Sequence, residues 1–261
     1  MVNSLFLQRL KMPPFIASTC IALPGIAACL FSGLLHAEPD PIALLAKSDQ
    51  ARGGGLPGLS WNVSVVNTGS LSDSQSMLLL IKATDTASLA ETLEPLRSKG
   101  TKMLQVERIM WLSKSGLKKP IPISARQRLT GQTAIGDIAA TNYVRDYTPK
   151  FLRNESLGRE HCHVLELTSK NRQTTYDRLI YWISEERHVG VQAEFYSLSG
   201  KLIKRAHFDY DNHIEVQGKS IPFISRMIIE DALTDAKSTL DYSQVKVKAL
   251  SPAEFDVSHL E

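Results

Sequence analysis

One pattern runs through most of the chain: short segments in which apolar and polar side chains alternate, separated by turns rich in Gly, Asn, Asp and Ser. In LSWNVSVVNTG (59–69), Trp61, Val63 and Val65 fall on one side of an extended chain, because successive side chains of a strand point to opposite faces. Ser199-Gly200 separates two such segments and is typical of a hairpin turn. The pattern predicts successive antiparallel strands and therefore a mainly β protein with few helices (α+β).

Helical signals stand at the two ends of this strand-rich region. Asp40 followed by Pro41 is typical of an N-cap and the first helical position, and Gly53-Gly54-Gly55 ends the helix that they begin. SPAEF (251–255) has a similar start with a capping-box glutamate, which predicts a short terminal helix. TASLAETLEPLRSK (86–99) has helical spacing up to its proline, and residues 115–160 are predicted to be rich in loops. No linker or repeat divides residues 38–261, which predicts a single domain.

The first 37 residues have the composition of a secretory signal peptide. Arg9 and Lys11 precede a long uncharged apolar stretch, and Leu35-His36-Ala37 ends just before the polar Glu38. We therefore predict cleavage after Ala37 and export. Two alternatives use the same residues: an uncleaved membrane anchor, and a lipoprotein that is cleaved within Ile26-Ala27-Ala28-Cys29 and acylated on Cys29.

Cleavage changes the charge and the cysteine content of the chain. The sequence has 30 Lys and Arg against 27 Asp and Glu, and loss of Arg9 and Lys11 leaves 28 against 27, a formal charge of +1. A nearly neutral chain argues against nucleic-acid binding, which needs many contacts between basic side chains and phosphates. Cys162 is then the one remaining cysteine, so no intrachain disulfide is expected.

The segment HCHVLEL (161–167) is the strongest candidate for a metal site or a reactive thiol. In a strand, His161 and His163 share a face and Cys162 points to the other, so the three cannot converge on one ion without a bulge. We therefore predict an ordinary strand, with no metal, no catalytic residue and no cofactor. A hydrolase or metal enzyme that uses His161, His163 or Ser115, which begins an S-x-x-K sequence, stays open as a rival.

Seven segments follow one another in a recognisable order along the chain. They are MWL (110–112), ISAR (123–126), GQTAIGDI (131–138), CHVLEL (162–167), YWI (181–183), AEFYSLSGKLIKR (193–205) and IPFISRMIIED (221–231). In this order the chain resembles the LolA-like family, which sorts lipoproteins to the outer membrane of bacteria. The resemblance covers roughly residues 40–258, and it rests on the order of the segments because no single segment is a catalytic fingerprint.

The resemblance implies a strongly curved antiparallel sheet that forms an unclosed half-barrel and packs on the N-terminal helix and other short helices. It also implies that residues 86–96 form a strand rather than a helix. A hydrophobic cavity for acyl chains would lie between the sheet and the helices. Its expected lining residues are Trp61, Val63, Val65, Trp111, Phe195, Phe208, Phe223 and Met227.

The resemblance also bears on the basic residues. It makes Arg52, at the end of the first helix, a candidate for the early arginine that helps to hold the cavity lid closed in this family. Lys118, Lys119, Arg126 and Arg128 lie in the predicted loop region. That region is a lid, a docking surface for anionic headgroups or a membrane partner, or an ordinary solvated loop.

These inferences lead to one expected function and one alternative. The expected function is that of a periplasmic carrier without enzyme activity, which shelters a lipid or the acyl chains of a lipoprotein and transfers it towards the outer membrane. Its partners would be the cargo, an inner-membrane exporter and an outer-membrane acceptor, and it would act as a monomer that binds no nucleic acid. The alternative is a non-enzymatic β-sheet module for protein interaction at the cell envelope.

Overall fold

The computed structural model of the protein describes residues 39–69, 76–139 and 142–260. The predicted signal peptide, with Cys29 and the cleavage position after Ala37, lies outside the described residues and stays a prediction. None of the helices within the described ranges combines the length and the hydrophobicity that a membrane-spanning helix requires.

Within these ranges the secondary structure is mostly strand. The helices are α1 Pro41–Gln50, α2 Ile135–Ala139 and α3 Tyr143–Asp146, with 3₁₀ helices at Leu96–Ser98, Pro252–Phe255 and Val257–His259. The first eight strands are β1 Leu59–Thr68, β2 Met77–Ala83, β3 Ala87–Glu94, β4 Lys102–Val106, β5 Ile109–Ser113, β6 Ile121–Ile123, β7 Arg128–Thr130 and β8 Thr133–Ala134. The others are β9 Tyr147–Leu157, β10 Glu160–Ser169, β11 Arg178–Ser184, β12 Gly190–Tyr196, β13 Leu202–Asp209, β14 Asn212–Val216, β15 Lys219–Phe223, β16 Arg226–Asp231 and β17 Lys237–Val247.

Thirteen of these strands form one antiparallel sheet, in the order β6-β5-β4-β3-β2-β1-β17-β16-β13-β12-β11-β10-β9. Strands β6 and β9 are its two edges, so the sheet does not close into a barrel. Most neighbours are consecutive hairpins, and β1 joins the two halves by pairing with β17 from the end of the chain. The predicted mainly β fold with an unclosed half-barrel is confirmed.

Cross-strand pairing shows which side chains share a face of the sheet, because directly opposed residues point the same way. One face of the first half carries the row Trp61, Ile81, Ala90, Met103 and Leu112, each opposite the next. The corresponding row in the second half is Ala206, Ala193, Tyr181 and Leu165. Both rows meet in one hydrophobic cluster, so the sheet curls around this face, which we call the concave face.

The opposite face, here called the convex face, is covered in two places. Leu89, Leu104 and Trp111 lie opposite one another there and pack against Phe255 and Leu260 at the end of the chain. Further along the sheet, a separate cluster contains Cys162, Val164, Ile180 and Trp182. The two faces therefore have independent apolar contacts.

The predicted starts of the two helices that flank the strand-rich region are confirmed in detail. Asp40 caps α1, with its Oδ1 accepting a hydrogen bond from the backbone N–H of Ile42 at 2.9 Å. Ser251 and Glu254 form the expected capping box at the start of a 3₁₀ helix. These are local interactions, which is why the sequence alone predicts them.

Two expectations from local sequence are wrong. The helix predicted within residues 86–99 is strand β3, as the resemblance implied, because the segment pairs with β2 on one side and β4 on the other. The loop-rich region 115–160 contains α2, α3 and the eleven-residue strand β9.

HCHVLEL forms an ordinary strand within β10, as predicted. Cys162 is buried on the convex face, and burial raises the pKa of its thiol to about 11, so the thiolate is scarce at neutral pH. The Nδ1 atom of His161 lies 2.9 Å from the Ser156 hydroxyl, and that of His163 lies 2.8 Å from the Asn154 side-chain oxygen. Each histidine is thus engaged by the neighbouring strand β9.

Candidate functional site

The concave face brings together most of the side chains that were expected to line a cavity. Seven of the eight belong to the single large hydrophobic cluster, and none is more than 4% exposed. They are Trp61, Val63, Val65, Phe195, Phe208, Phe223 and Met227. Phe223 comes from the β14–β15 hairpin and meets the Trp61 ring edge to face, with 5.5 Å between the ring centroids.

Trp111 is the exception. It lies opposite Leu104 on the convex face and packs against the cluster at the end of the chain. Its neighbour Met110 points to the concave face instead, because adjacent residues of a strand alternate. The expectation that Trp111 lines the same cavity as Trp61 therefore does not hold.

Short helices cover the concave face where a sandwich would have a second sheet. Leu45 of α1, Ile135 and Ile138 of α2, and Tyr143 of α3 all belong to the same cluster as the sheet residues. The helical part of the cover consists of ten residues in α1, five in α2 and four in α3, and the β14–β15 hairpin adds Ile214 and Phe223. Such short elements have little internal stability and depend on their contacts with the sheet.

Arg52 lies inside this cluster, directly after α1, and is only 4% exposed. Its guanidinium carbon lies 4.4 Å from the ring centroid of Tyr143 in α3 and 5.5 Å from that of Phe208 in β13. Burial by itself would lower the pKa of the guanidinium, but nearby tyrosines, Tyr143 first among them, raise it well above its ordinary value. Arg52 is therefore a buried cation that contacts both a covering helix and the sheet.

Asp49, one turn before Arg52, is also buried. Its Oδ2 accepts a hydrogen bond from the backbone N–H of Val144 at 2.8 Å, which ties α1 to α3. Burial raises the pKa of this carboxyl group to about 7, although the Val144 hydrogen bond and the charge of Arg52 act in the other direction. Asp49 therefore changes its charge near neutral pH.

Several buried polar atoms around the end of α1 have no hydrogen-bond partner among the described residues. They include Asp49 Oδ1 and Trp61 Nε1. An unpartnered polar atom in a packed interior costs free energy, so such atoms are uncommon in ordinary cores. The apolar cluster under α1 thus contains a polar spot that could bind water or the polar part of a ligand.

A second buried charge pair fixes α2 to the sheet. Lys204 Nζ of β13 lies 2.8 Å from Asp137 Oδ2 of α2, and the two side chains are 5% and 1% exposed. The Tyr176 hydroxyl donates to the other Asp137 oxygen at 2.7 Å, and Lys204 Nζ also donates to the Gln132 carbonyl oxygen at 2.8 Å. The pair is well satisfied by hydrogen bonds, as a buried ion pair must be to persist.

Sequence reasoning missed this pair, although one signal for Lys204 was available. In LIKRAHFD (202–209) the residues Leu202, Ala206 and Phe208 form the apolar phase of the alternation, and Lys204 occupies the same phase. A lysine at an inward-facing position needs a buried partner. Nothing in the local sequence identifies Asp137, which is 67 residues away, as that partner.

The basic residues expected at a lid or headgroup site fall in different places. Lys118 and Lys119 line a pocket of about 480 Å³ beside Leu260, which belongs to the convex face. Arg126 and Arg128 line another pocket, of about 310 Å³, beside Lys204. Arg126 is paired with both carboxylate oxygens of Asp177, at 3.0 and 2.7 Å, so its charge is largely compensated. Arg52 is internal.

The chain is similar to proteins of known structure over most of its length. A LolA superfamily protein from Nitrosomonas europaea is 33% identical, with a TM-score of 0.75 over 84% of this chain and 98% of that one. A putative outer membrane lipoprotein-sorting protein domain from Vibrio parahaemolyticus is 19% identical, with a TM-score of 0.70 over 83% and 96% of the two chains. For a DUF1329 family protein from Desulfovibrio piger the identity is 19% and the TM-score 0.69, over 85% and 100%.

Sequence comparisons add less detail. A family model that is described as "Uncharacterized protein" matches residues 84–261. No curated protein matches the sequence. The identity and nearly complete coverage of the Nitrosomonas protein decide the family. The chain belongs to the LolA superfamily.

Proposed function

We propose that the protein is a non-enzymatic periplasmic carrier that holds a lipid, or the acyl chains of a lipoprotein, on the concave face of its half-barrel. The observation that carries this proposal is that short helices, rather than a second sheet, cover the apolar concave face. Large apolar side chains of the sheet face short helices, and buried charges and unpartnered polar atoms lie between them. An interior of this kind can exchange its cover for a ligand more readily than a core made of two sheets.

The physical need for such a carrier is clear. Exposing an acyl chain to water costs about 0.8 kcal/mol for each CH₂ group, so a long chain needs an apolar shelter to cross an aqueous compartment. The concave cluster offers that surface once α1, α2 or α3 moves aside. The membership in the LolA superfamily supports a cargo that is acylated, and the name of the Vibrio domain supports transfer towards the outer membrane.

Native mass spectrometry of the protein purified from the periplasm tests this proposal. We expect a discrete additional mass that organic solvent removes and that lipid analysis identifies as an acylated molecule. A protein of unmodified mass that also fails to bind added fatty acid and lipopeptide would contradict the carrier function. That result would favour a protein-interaction module instead.

A further inference from the structure

A pocket of about 390 Å³ opens between the β4–β5 turn, strand β6 and the loop that precedes β11. We call it the arginine pocket, because Arg108 of the turn and Arg172 of the loop both line it. Its volume lies within the range of small-molecule sites. It does not coincide with the pockets that contain Lys118 and Lys119 or Arg126 and Arg128.

The floor of the arginine pocket is apolar and continues into the concave cluster. Met110 and Ala125 line the pocket and are themselves buried members of that cluster. Ile123, which also lines the pocket, packs against the same cluster. A hydrocarbon chain that enters here therefore meets the apolar interior directly.

The rim of the pocket carries two arginines that form no direct ion pair within the described part of the chain. Among the described residues, neither Arg108 nor Arg172 takes part in an ion pair or a side-chain hydrogen bond, and both are exposed. An adjoining pocket of about 310 Å³ shares Arg108 and adds Arg145 and Glu107. Arg145 lies 3.4 Å from Asp146 and donates to the Thr86 carbonyl oxygen. Arg108 also acts on Asp146 through its charge, and Glu107 lies beside it, so Arg172 carries the charge that is least balanced.

One buried polar atom also belongs to this pocket. Gln105 lines it from β4, is 6% exposed, and its side-chain oxygen has no hydrogen-bond partner among the described residues. A buried acceptor without a donor costs free energy. The oxygen itself is fully buried, so the Gln105 side chain would have to turn towards the pocket before a ligand hydroxyl or N–H group could supply the donor. The pocket thus combines an apolar floor, the amide of Gln105 and two guanidinium groups that form no direct ion pair with a described residue.

We propose that the arginine pocket binds the phosphate-bearing headgroup of a lipid whose acyl chain lies on the concave face. Guanidinium groups bind phosphate oxygens through two parallel hydrogen bonds and stay charged at every relevant pH. A turn of the Gln105 side chain would present its amide to a free glycerol hydroxyl next to the phosphate, such as the one that a lysophospholipid retains. This inference rests on the proposed carrier function and adds the class of cargo: an anionic glycerophospholipid.

The test compares two probes with the same chain, oleoyl lysophosphatidic acid and monooleoylglycerol, by calorimetric titration below the concentrations at which they aggregate. We expect the phosphate probe to bind the wild-type protein at least about tenfold more tightly, since hydrogen bonds to charged groups are strong. The variant Arg108→Gln/Arg172→Gln should lose this preference and keep its affinity for monooleoylglycerol. The matched variant Arg97→Gln/Arg159→Gln removes two exposed arginines elsewhere and should retain the preference.

Each other outcome overturns a defined part of the account. Equal affinity of the wild-type protein for both probes, or equal weakening in the two variants, would overturn the headgroup site and leave the carrier function standing. Binding of glycerol 3-phosphate as tightly as the acylated probe would show a site for soluble phosphates instead. Binding of neither oleoyl probe would overturn the carrier function itself.

Discussion

Replacing Lys204 with methionine is expected to lower the free energy of unfolding by about 3–5 kcal/mol, because it leaves Asp137 as an unpaired buried charge. This ion pair also holds α2 against β13, so its loss should make α2 pack less tightly on the concave face. Urea denaturation followed by far-UV circular dichroism measures the change. Adding Asp137→Asn to the methionine variant should recover part of the loss, since the buried charge is then removed.

The control for this prediction is an ion pair of the same type at the surface. Lys237 and Glu230 lie on paired strands at 2.7 Å, but their side chains are 42% and 41% exposed. An exposed pair contributes about 0–1 kcal/mol, so Lys237→Met should change stability little. Equal losses in the two variants would contradict a structural role for the buried pair.

Asp49 should make the free energy of unfolding fall as the pH rises towards neutrality. The pKa of its carboxyl group is raised from 3.8 to about 7 in the folded protein, so between these values the folded form keeps a proton that the unfolded chain releases. The stabilisation is therefore complete at acid pH and is lost as the pH approaches 7. One such group changes the free energy of unfolding by up to about 1.4 kcal/mol for each pH unit.

The variant Asp49→Asn isolates this effect. It keeps an oxygen for the Val144 N–H but cannot ionise, so its stability should depend less on pH and should exceed that of the wild type above neutrality. Burial also raises the pKa of Asp146, which leaves a residual slope of the same sign. Asp177→Asn is the control, because Arg126 lowers the pKa of that carboxyl group and its removal should leave the slope near neutrality intact. An unchanged slope in Asp49→Asn would refute the assignment.

The elements that sequence predicted well are governed by local chemistry. Asp40 caps α1 and Pro41 is its first residue, and Ser199-Gly200 lies in the turn that joins β12 to β13. Caps and tight turns depend on neighbouring residues, so local sequence predicts them. The segment TASLAETLEP has the spacing of a helix but forms strand β3. Pairing with the two neighbouring strands outweighs its intrinsic helix propensity. Local sequence alone misses such pairing.

The candidate site was predictable only in part, for a related reason. Alternation correctly groups Trp61, Val63 and Val65, and it separates Met110 from Trp111. It does not say which of the last two faces the concave side, because that depends on the register between β4 and β5. The arginine pocket is formed by the β4–β5 turn, strand β6 and the loop that precedes β11, which are far apart in sequence. None of these segments contains a recognisable sequence motif.

The three tryptophans of the chain allow the most direct test of the concave face as the acyl site. Trp61 lies on the concave face, whereas Trp111 and Trp182 lie in the two convex clusters. In the variant Trp111→Phe/Trp182→Phe, all tryptophan fluorescence therefore comes from the concave face. In Trp61→Phe it comes from the convex face. The measurement is quenching of tryptophan fluorescence by dibrominated stearic acid, with unbrominated stearic acid as the reference. An acyl chain on the concave face should quench Trp61 and cause no quenching in the Trp61→Phe variant. Quenching in Trp61→Phe alone, or in neither variant, would rule out the concave face as the acyl site.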